Sequence, residues 1–412
     1  MWQYGKVPKG WSIEKIGEYA SIITDYVANG SFAALAENVN YKSEPDYAVL
    51  IRLTDYNNNF SGDFVYIDEH AYEFLSKSKL YGNEIIISNV GANVGTVFKC
   101  PKLQKKMSLA PNAIMLKTKG NDDFYYYWFM SRNGQHSLQS IVTGSAQPKF
   151  NKTNFKELLV PVPPLDIQEK IAEYLCDIDK KIEVNKKINE NLLQQALAIY
   201  KAWFCDYVLS DGVLPESWHI TTIDALSSLV TRGIAPKYDD SSTQIVLNQK
   251  CIRDHTIDVS LARRHLPKKI NEKWISKGDL LINSTGTGTL GRVAQVWFDA
   301  NNMTVDSHVT IVRPKAPILQ SYIGFWGLSH ESEIEAQHTG STGQTELPRD
   351  RVKAMELTLP DEDTLSKFNE LVIPITEAVV SNQKENVRLS QLRDTLLPKL
   401  MSGEIDVSEL EP

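Results

Sequence analysis

The chain has no stretch approaching the roughly 18 consecutive apolar residues that span a bilayer as a helix. Its opening, MWQYGKVPKGW, lacks the charged start, apolar run and small-residue cleavage site of a secretory signal. A cytoplasmic protein without membrane contact is expected. Cysteine is scarce: Cys100, Cys176, Cys205 and Cys251 are the four, with no C-x-x-C pair among them, which argues against a cysteine zinc cluster and a disulfide framework. The eight histidines form no H-x-x-x-H pair, so no metal site is expected. There is no G-x-x-x-x-G-K-[ST] phosphate loop. An amino-methyltransferase needs Asn- or Asp-Pro-Pro-aromatic to hold its target amine, and the only Pro-Pro, Pro163-Pro164, runs on into Leu165-Asp166. Gly286, Gly288 and Gly291 do satisfy G-x-G-x-x-G after the strand-like DLLIN. Behind them, however, RVAQVWF alternates like a strand, where a dinucleotide site requires a helix. A tight strand-to-strand turn is expected there, and no catalytic residue is expected anywhere in the chain.

Positive charge is also short. There are 44 Lys and Arg against 51 Asp and Glu, a formal charge of -7, whereas nucleic-acid binding normally leaves a basic footprint because phosphate neutralisation supplies most non-specific affinity. Such a partner then requires basic surface on other subunits or cations concentrated locally. Arg263, Arg264, Lys268, Lys269, Lys273 and Lys277 fall within 15 residues, and Lys99, Lys102, Lys105 and Lys106 form a shorter cluster. Each reads equally as a solvated loop. What is present is ordinary globular material, 42% hydrophobic and 23% charged. At 412 residues the chain exceeds the roughly 250–300 at which a single core stops growing, so two domains are expected.

The chain is written twice, with a period near 200 residues. VPKGW at 7–11 recurs as LPESW at 214–218, matching Pro8 with Pro215 and Trp11 with Trp218 at an offset of 207. GNEIIISNVGANVGTVF at 82–98 lines up with GDLLINSTGTGTLGRVA at 278–294, pairing Gly82 with Gly278 and Gly95 with Gly291 at an offset of 196. The same offset places Thr143-Gly144-Ser145 on Thr339-Gly340-Ser341. Between the Trp and the first paired Gly the copies are 71 and 60 residues long, so they share a frame and differ in what fills it. A pair of related binders and a duplicated metabolic enzyme both fit such a repeat.

Each copy ends in a long helix. From Asp166 to Phe204 there is no Pro or Gly, and apolar or small residues at Ile171, Leu175, Ile178, Ile182, Leu192, Ala196 and Ile199 follow the 3.5-residue spacing of a coiled-coil seam. An offset of 197 gives Phe368, Val372, Ile375, Val379, Leu389 and Arg393, predicting a second helix over about 361 to 400 that breaks the seam only near its end. Asn185 and Asn189 interrupt the first seam, and Asn382 and Asn386 interrupt the second at equivalent places. An Asn in a seam fixes register, because a slipped pairing leaves its amide buried and unsatisfied; a wet, splayed mid-section is the other reading. Asp166 and Asp361 are expected helix starts. A helix of about 38 residues is roughly 57 Å long, more than one turn of B-DNA. Because the chain runs domain, helix, domain, helix, antiparallel helices are expected to set one domain at each end with approximate two-fold symmetry.

The segment TGSAQPKFNKTNFKELLVPVPPLDIQEKIAEYLCDIDKKIEVNKK resembles the central conserved region of the specificity subunits of type I restriction-modification systems, and LSQLRDTLLPKLMSGEI resembles their usual ending. The resemblance covers the whole chain, strongest in both helices and weakest at 20–80 and 225–275. Two departures stand out: GSTGQTELPRD replaces GSAQPKFNKT in the second copy, and Gln168-Glu169 becomes Leu365-Ser366. The resemblance implies an α+β fold with two similar target recognition domains joined by two long antiparallel coiled-coil helices. The implied boundaries are 1–163, a central helix at 164–210, a second domain at 211–360, a C-terminal helix at 361–402 and a tail at 403–412.

It also implies a non-enzymatic subunit that binds double-stranded DNA at a bipartite target. Partners are then two modification subunits, methylating adenine with S-adenosylmethionine, and two restriction subunits using ATP and Mg2+, with no cofactor in this chain. Residue type and position nominate Thr143, Gly144, Ser145, Gln147 and Lys149, and in the second copy Thr339, Gly340, Ser341 and Gln344, as DNA contacts. Lys105, Lys106, Arg263, Arg264, Lys268 and Lys269 are nominated for phosphates. These polar loop segments read alternatively as domain-to-helix linkers. A duplicated DNA methyltransferase or nuclease would transfer methyl groups or cut as a lone chain, and a purely structural coiled-coil adaptor would keep its DNA preference when 143–149 is altered.

Overall fold

Ile85, Ile86 and Ile87 are all fully buried, and strand geometry explains how. Ile85 and Ile87 join a core with Phe124, Trp128 and Ile171, while Ile86 points the other way, into a core with Phe98 and Met115. A strand covered on both faces is written as an unbroken apolar run, which is why EIIIS does not alternate. At about 1.5–3 kcal/mol per buried Ile side chain, such a strand is a principal source of the local stability.

The computed structural model describes residues 7–267, 273–340 and 345–408. Two units are formed, Met1–Ile182 with Val387–Pro412, and Glu183–Asn386. In the first, β1 (Ala20–Asp25), β2 (Ile85–Ser88), β3 (Val97–Lys99) and β4 (Ala113–Thr118) make an antiparallel sheet in the order β1-β4-β2-β3. A second sheet pairs Ala48–Ile51 in parallel with Lys106–Leu109, and Ser12–Lys15 pairs antiparallel with Leu159–Val162. The helix Asp122–Met130 starts where the Asn121 side chain accepts the Phe124 amide at 3.0 Å, and it buries Phe124, Tyr125, Tyr127, Trp128 and Phe129 in the core.

The second unit repeats this plan. β5 (Ser227–Arg232), β6 (Leu280–Asn283), β7 (Val293–Gln295) and β8 (Val309–Pro314) lie in the order β5-β8-β6-β7. Ile245–Leu247 runs parallel to Met303–Val305, and His219–Thr222 pairs with Glu356–Leu359. The mixed α+β class with two similar domains and long helices is therefore the observed one.

Hydrogen bonds correct one detail of the repeat. Gly278 donates to the Val296 carbonyl as Asn83 donates to that of Cys100, so Gly278 stands in the place of Asn83 and not of Gly82. Gly82 and Asn83 both adopt positive φ, at 101° and 71°, and matching glycine to glycine skipped one residue. The second copy recovers the residue in its next turn, where Gly95 donates to Ser88 but Gly291 donates to Asn283. A larger difference lies just after the first strand of each sheet. Residues 26–47 include the helix α1 (Phe32–Asn38), whereas the shorter stretch 233–244 has no helix.

The long helices α2 (Leu165–Phe204) and α3 (Glu362–Met401) have 40 residues each, about 60 Å at 1.5 Å per residue. Within the first unit, Ile171 and Leu175 of α2 share a core with Leu400 and Met401 of α3, and Asp179 meets Arg393 at 2.7 Å. Within the second unit, Asn185 bonds Asn386, Asn382 bonds Asn189, and Phe204 packs on Phe368 with ring centroids 4.9 Å apart. Rising numbers on α2 meet falling numbers on α3 in both units, so the helices pair antiparallel. Arg393 does not interrupt the seam as a gap; its guanidinium is held by Asp179. Of the two expected helix starts only Asp361 caps, accepting the Thr364 amide at 2.8 Å and the Trp218 indole N–H at 2.8 Å. Asp166 lies inside the first turn of α2, whose leading amides, Ile167 and Gln168, bond the Pro164 carbonyl instead. Pro374 and Pro398 sit within α3, each without an N–H to donate.

Candidate nucleic-acid interface

Thr143 and Lys149 close a hairpin on each other. The Thr143 amide donates to the Lys149 carbonyl at 2.8 Å, the Lys149 amide donates back at 2.9 Å, and the Thr143 hydroxyl adds a bond at 3.3 Å. Gly144 has φ +85°, and a Cβ there would stand 3.0 Å from the Gln147 carbonyl, so the turn requires glycine. The hairpin is braced against the turn between β2 and β3. Gly91 donates to the Pro148 carbonyl at 2.9 Å, Phe150 to that of Asn89 at 3.0 Å, and the Asn89 amide group to that of Phe150 at 3.1 Å. Thr143, Gly144, Ser145, Gln147 and Lys149 remain exposed. Among the described residues no carboxylate pairs with Lys149. Hydroxyl, amide and ammonium groups on a braced, solvent-facing loop are the donor set that phosphate oxygens and base edges accept.

The second unit closes a hairpin one residue longer in the same way. Thr339 and Glu346 exchange main-chain bonds of 2.7 and 2.9 Å, the Thr339 hydroxyl adds one of 3.3 Å, and Leu347 donates to Ser284 at 2.8 Å. Gly340 is exposed with φ +102°, and Thr339 is half-buried. Ser341 and Gln344 lie outside the described residues. The closing bonds are shared but the charge is inverted. Glu346 occupies the position of Lys149, and Arg232, opposite Thr310 in the β5–β8 ladder, occupies that of Asp25, opposite Ile114 in the β1–β4 ladder. Arg232 pairs with Glu346 at 2.8 Å and donates to the Leu347 carbonyl at 2.9 Å, whereas Asp25 pairs with Lys152 at 2.8 Å.

Of the remaining nominated cations, Lys106, Arg263 and Arg264 lie on strands of the second sheets and Lys105 just precedes one. Lys105 donates to the Asp46 carbonyl at 2.9 Å, and Lys106 to the Tyr47 hydroxyl at 2.6 Å, 5.4 Å from the Tyr72 ring centroid. Arg263 stacks 3.4 Å above the centre of the Tyr238 ring, and Arg264 donates to the Ser242 carbonyl at 2.7 Å. Lys268 and Lys269 lie outside the described residues. No hydrogen bond or ion pair joins Lys105, Lys106, Arg263 or Arg264 to either hairpin among the described residues.

The four seam asparagines come together. Asn185, 1% exposed, donates to Glu385 at 2.7 Å and Asn386 at 2.9 Å; Asn382 donates to Asn189 at 2.8 Å, and Asn189 to the Val379 carbonyl at 3.3 Å. Gly286, Gly288 and Gly291 form the turn between antiparallel strands β6 and β7, with a strand behind them. Among the described residues no group of His, Cys, Asp and Glu could hold a metal, and no helix is long and apolar enough to cross a membrane.

Residues 8–194 match the family model for the type I restriction modification DNA specificity domain. Over 432 aligned residues the chain is 24% identical to the type I restriction enzyme MjaIX specificity subunit of Methanocaldococcus jannaschii, covering 98% of this chain and 96% of that protein. The chain is thus similar along nearly its whole length to type I restriction-modification specificity subunits. The HindI specificity subunit of Haemophilus influenzae is 22% identical over 379 residues, 73% of this chain and 80% of the relative. A crystal structure of a type I restriction-modification system S subunit from M. genitalium shares the fold, with a TM-score of 0.55 at 15% identity, over 97% of this chain and 99% of that one.

Two residues that organise the fold escaped sequence reasoning. Arg232 ties the second hairpin to its sheet, and its only signal was an arginine closing a strand. Gln168 is 1% exposed near the head of α2; its side chain donates to the Pro163 carbonyl at 2.8 Å and the Tyr19 hydroxyl at 3.1 Å and accepts the Asn121 amide at 3.0 Å. It was visible as part of the Gln168-Glu169 pair, without a role.

Proposed function

We propose that this chain is a type I restriction-modification specificity subunit that reads double-stranded DNA as a bipartite target, one half through each unit, and performs no catalysis itself. The observation that carries the reading is the duplicated hairpin closure: one sheet order and one pattern of closing main-chain bonds occur in both units, with opposite charges at the matched positions Lys149 and Glu346. A shared frame with diverged contact groups is what two readers of unlike half-sites require. The contacts are Thr143, Gly144, Ser145, Gln147 and Lys149 on one hairpin and Thr339, Gly340, Ser341 and Gln344 on the other. α2 and α3 act as the spacer, and the asparagine quartet holds their register. On this reading the subunit works in the cytoplasm and recruits two modification and two restriction subunits. S-adenosylmethionine, ATP and Mg2+ are bound by those partners.

Selection of a randomised duplex library on the subunit co-expressed with its modification partners is the direct test. Two short motifs at a fixed gap are the expected result; one uninterrupted motif, or no enrichment, would overturn the reading. Methyl transfer or cleavage by the chain alone would overturn the non-catalytic part.

A further inference from the structure

Beside the first hairpin lies a cleft of about 460 Å³. It is lined by Tyr26, Phe32, Leu35 and Tyr41 on one side and by Asn89, Val90 and Asn112 on the other. Its rim is aromatic and open: Phe32 is 82% exposed and Tyr41 55%, with the Tyr41 hydroxyl bonded to that of buried Tyr26 at 3.3 Å. An isolated exposed apolar residue is normal, but two large aromatics on the rim of one cleft form a contiguous patch.

Three observations say what such a cleft takes. First, it adjoins the hairpin directly, because Val90 bridges to Lys149 and Asn89 is bonded to Phe150. Second, its charge suits a nucleotide. Lys149 is exposed and has no carboxylate partner among the described residues, while the one carboxylate lining the cleft, Asp25, is neutralised by Lys152 at 2.8 Å. Third, one wall is α1, which the second unit lacks at the matched place, so the cleft belongs to what distinguishes the first reader from the second.

We infer that the cleft of the first unit receives one nucleobase of the bound DNA, unstacked from the duplex and laid against Phe32 and Tyr41, with its phosphate met by Lys149. Aromatic faces accept any base by stacking, and truncating one such ring costs about 5- to 150-fold in affinity. A volume in the range of small-molecule clefts leaves room for a base. The inference rests on the DNA-reading proposal above.

The test uses the full chain without partner subunits and the duplex motif it selects, with 2-aminopurine substituted at each position of the half-site in turn. One position is expected to brighten several-fold on binding, as unstacking removes quenching. Phe32→Ala and Tyr41→Ala should abolish that rise and weaken binding to the motif, and Phe32→Trp should retain it. Because both side chains are exposed, folding is checked by an unchanged melting temperature. If the chain selects a motif but no position brightens, or if both alanine variants brighten like the parent, the cleft assignment is overturned while DNA reading stands. In a separate co-purification with the modification subunits, loss of their binding by Phe32→Ala or Tyr41→Ala with motif preference intact would give the cleft to a protein partner instead. If the chain co-expressed with its modification partners selects no motif, both proposals fall.

Discussion

Gln168 shows how a single side chain ties a long helix to its domain. Three hydrogen bonds converge on its buried amide, and Gly120 leaves the space for it: a Cβ there would lie 2.3 Å from Oε1 of Gln168 and 2.5 Å from the Tyr19 hydroxyl. The second copy solves the same junction with Leu365, 2% exposed in an apolar core. Gln168→Leu alone should nevertheless be destabilising by about 1–3 kcal/mol, because the Asn121 amide loses its acceptor and the leucine has no matching pocket. Urea unfolding of the full chain measures it; an unchanged midpoint would mean that water replaces the lost bonds. Asn185→Ala should cost a similar ~1–3 kcal/mol by stripping Glu385 and Asn386 of a buried donor. The positions of the four asparagines were legible from the repeat, but whether they met one another was not, since pairing across 200 residues depends on helix direction.

At the scale of elements, the start of α3 responds to pH. The Thr364 amide, and after it the Trp218 indole, hold the Asp361 carboxyl below the usual carboxylate range. A carboxyl depressed in the folded state contributes stability above its unfolded pKa, about 3.9, and loses it as pH falls through the lower folded value. Asp361→Asn should therefore lose less melting temperature than the parent between about pH 6 and pH 3; identical acid limbs would show that the cap does not act electrostatically. The hairpins respond to salt. If they meet phosphates, Lys149→Ala should lower the slope of log affinity against log salt by about 1, and Glu346→Ala, which frees Arg232, should raise it by a comparable amount. Slopes indifferent to both changes would remove the hairpins from the interface. These hairpins were legible because a glycine at positive φ has no substitute, so T-G-S stands out in both copies. The brace behind them was not, since Asn89 and Phe150 are 61 residues apart.

At the scale of the whole molecule, residues near both ends of the chain enter the first unit. Pro8 and Trp11 lie against Gly403, where a Cβ would come within 2.4 Å of the Pro8 ring. The connection after α2 is open by contrast, with Val208, Leu209 and Val213 57–66% exposed. A circular permutant that links residues 7 and 408 through a short spacer and opens near residue 210 should fold and keep its DNA preference. Aggregation of that permutant, or loss of its partners, would show that the connection after α2 carries more than chain continuity.

Periodicity and repetition are local and survive in a one-dimensional record, which is why the sequence by itself determined the duplication, the α+β class, the two long helices and the asparagines that interrupt them. Matching residues to places was decided by tertiary structure. Only strand pairing revealed that Gly278 replaces Asn83, and only side-chain packing set Arg232 on Glu346 and Gln168 against Tyr19. The aromatic rim of Phe32 and Tyr41 was invisible for the same reason: Tyr41 lies beyond the end of α1, and Asn89 on the opposite wall comes from a different strand end. Contacts between residues far apart in sequence arise when sheets and helices close on one another, and no local spacing encodes that closure.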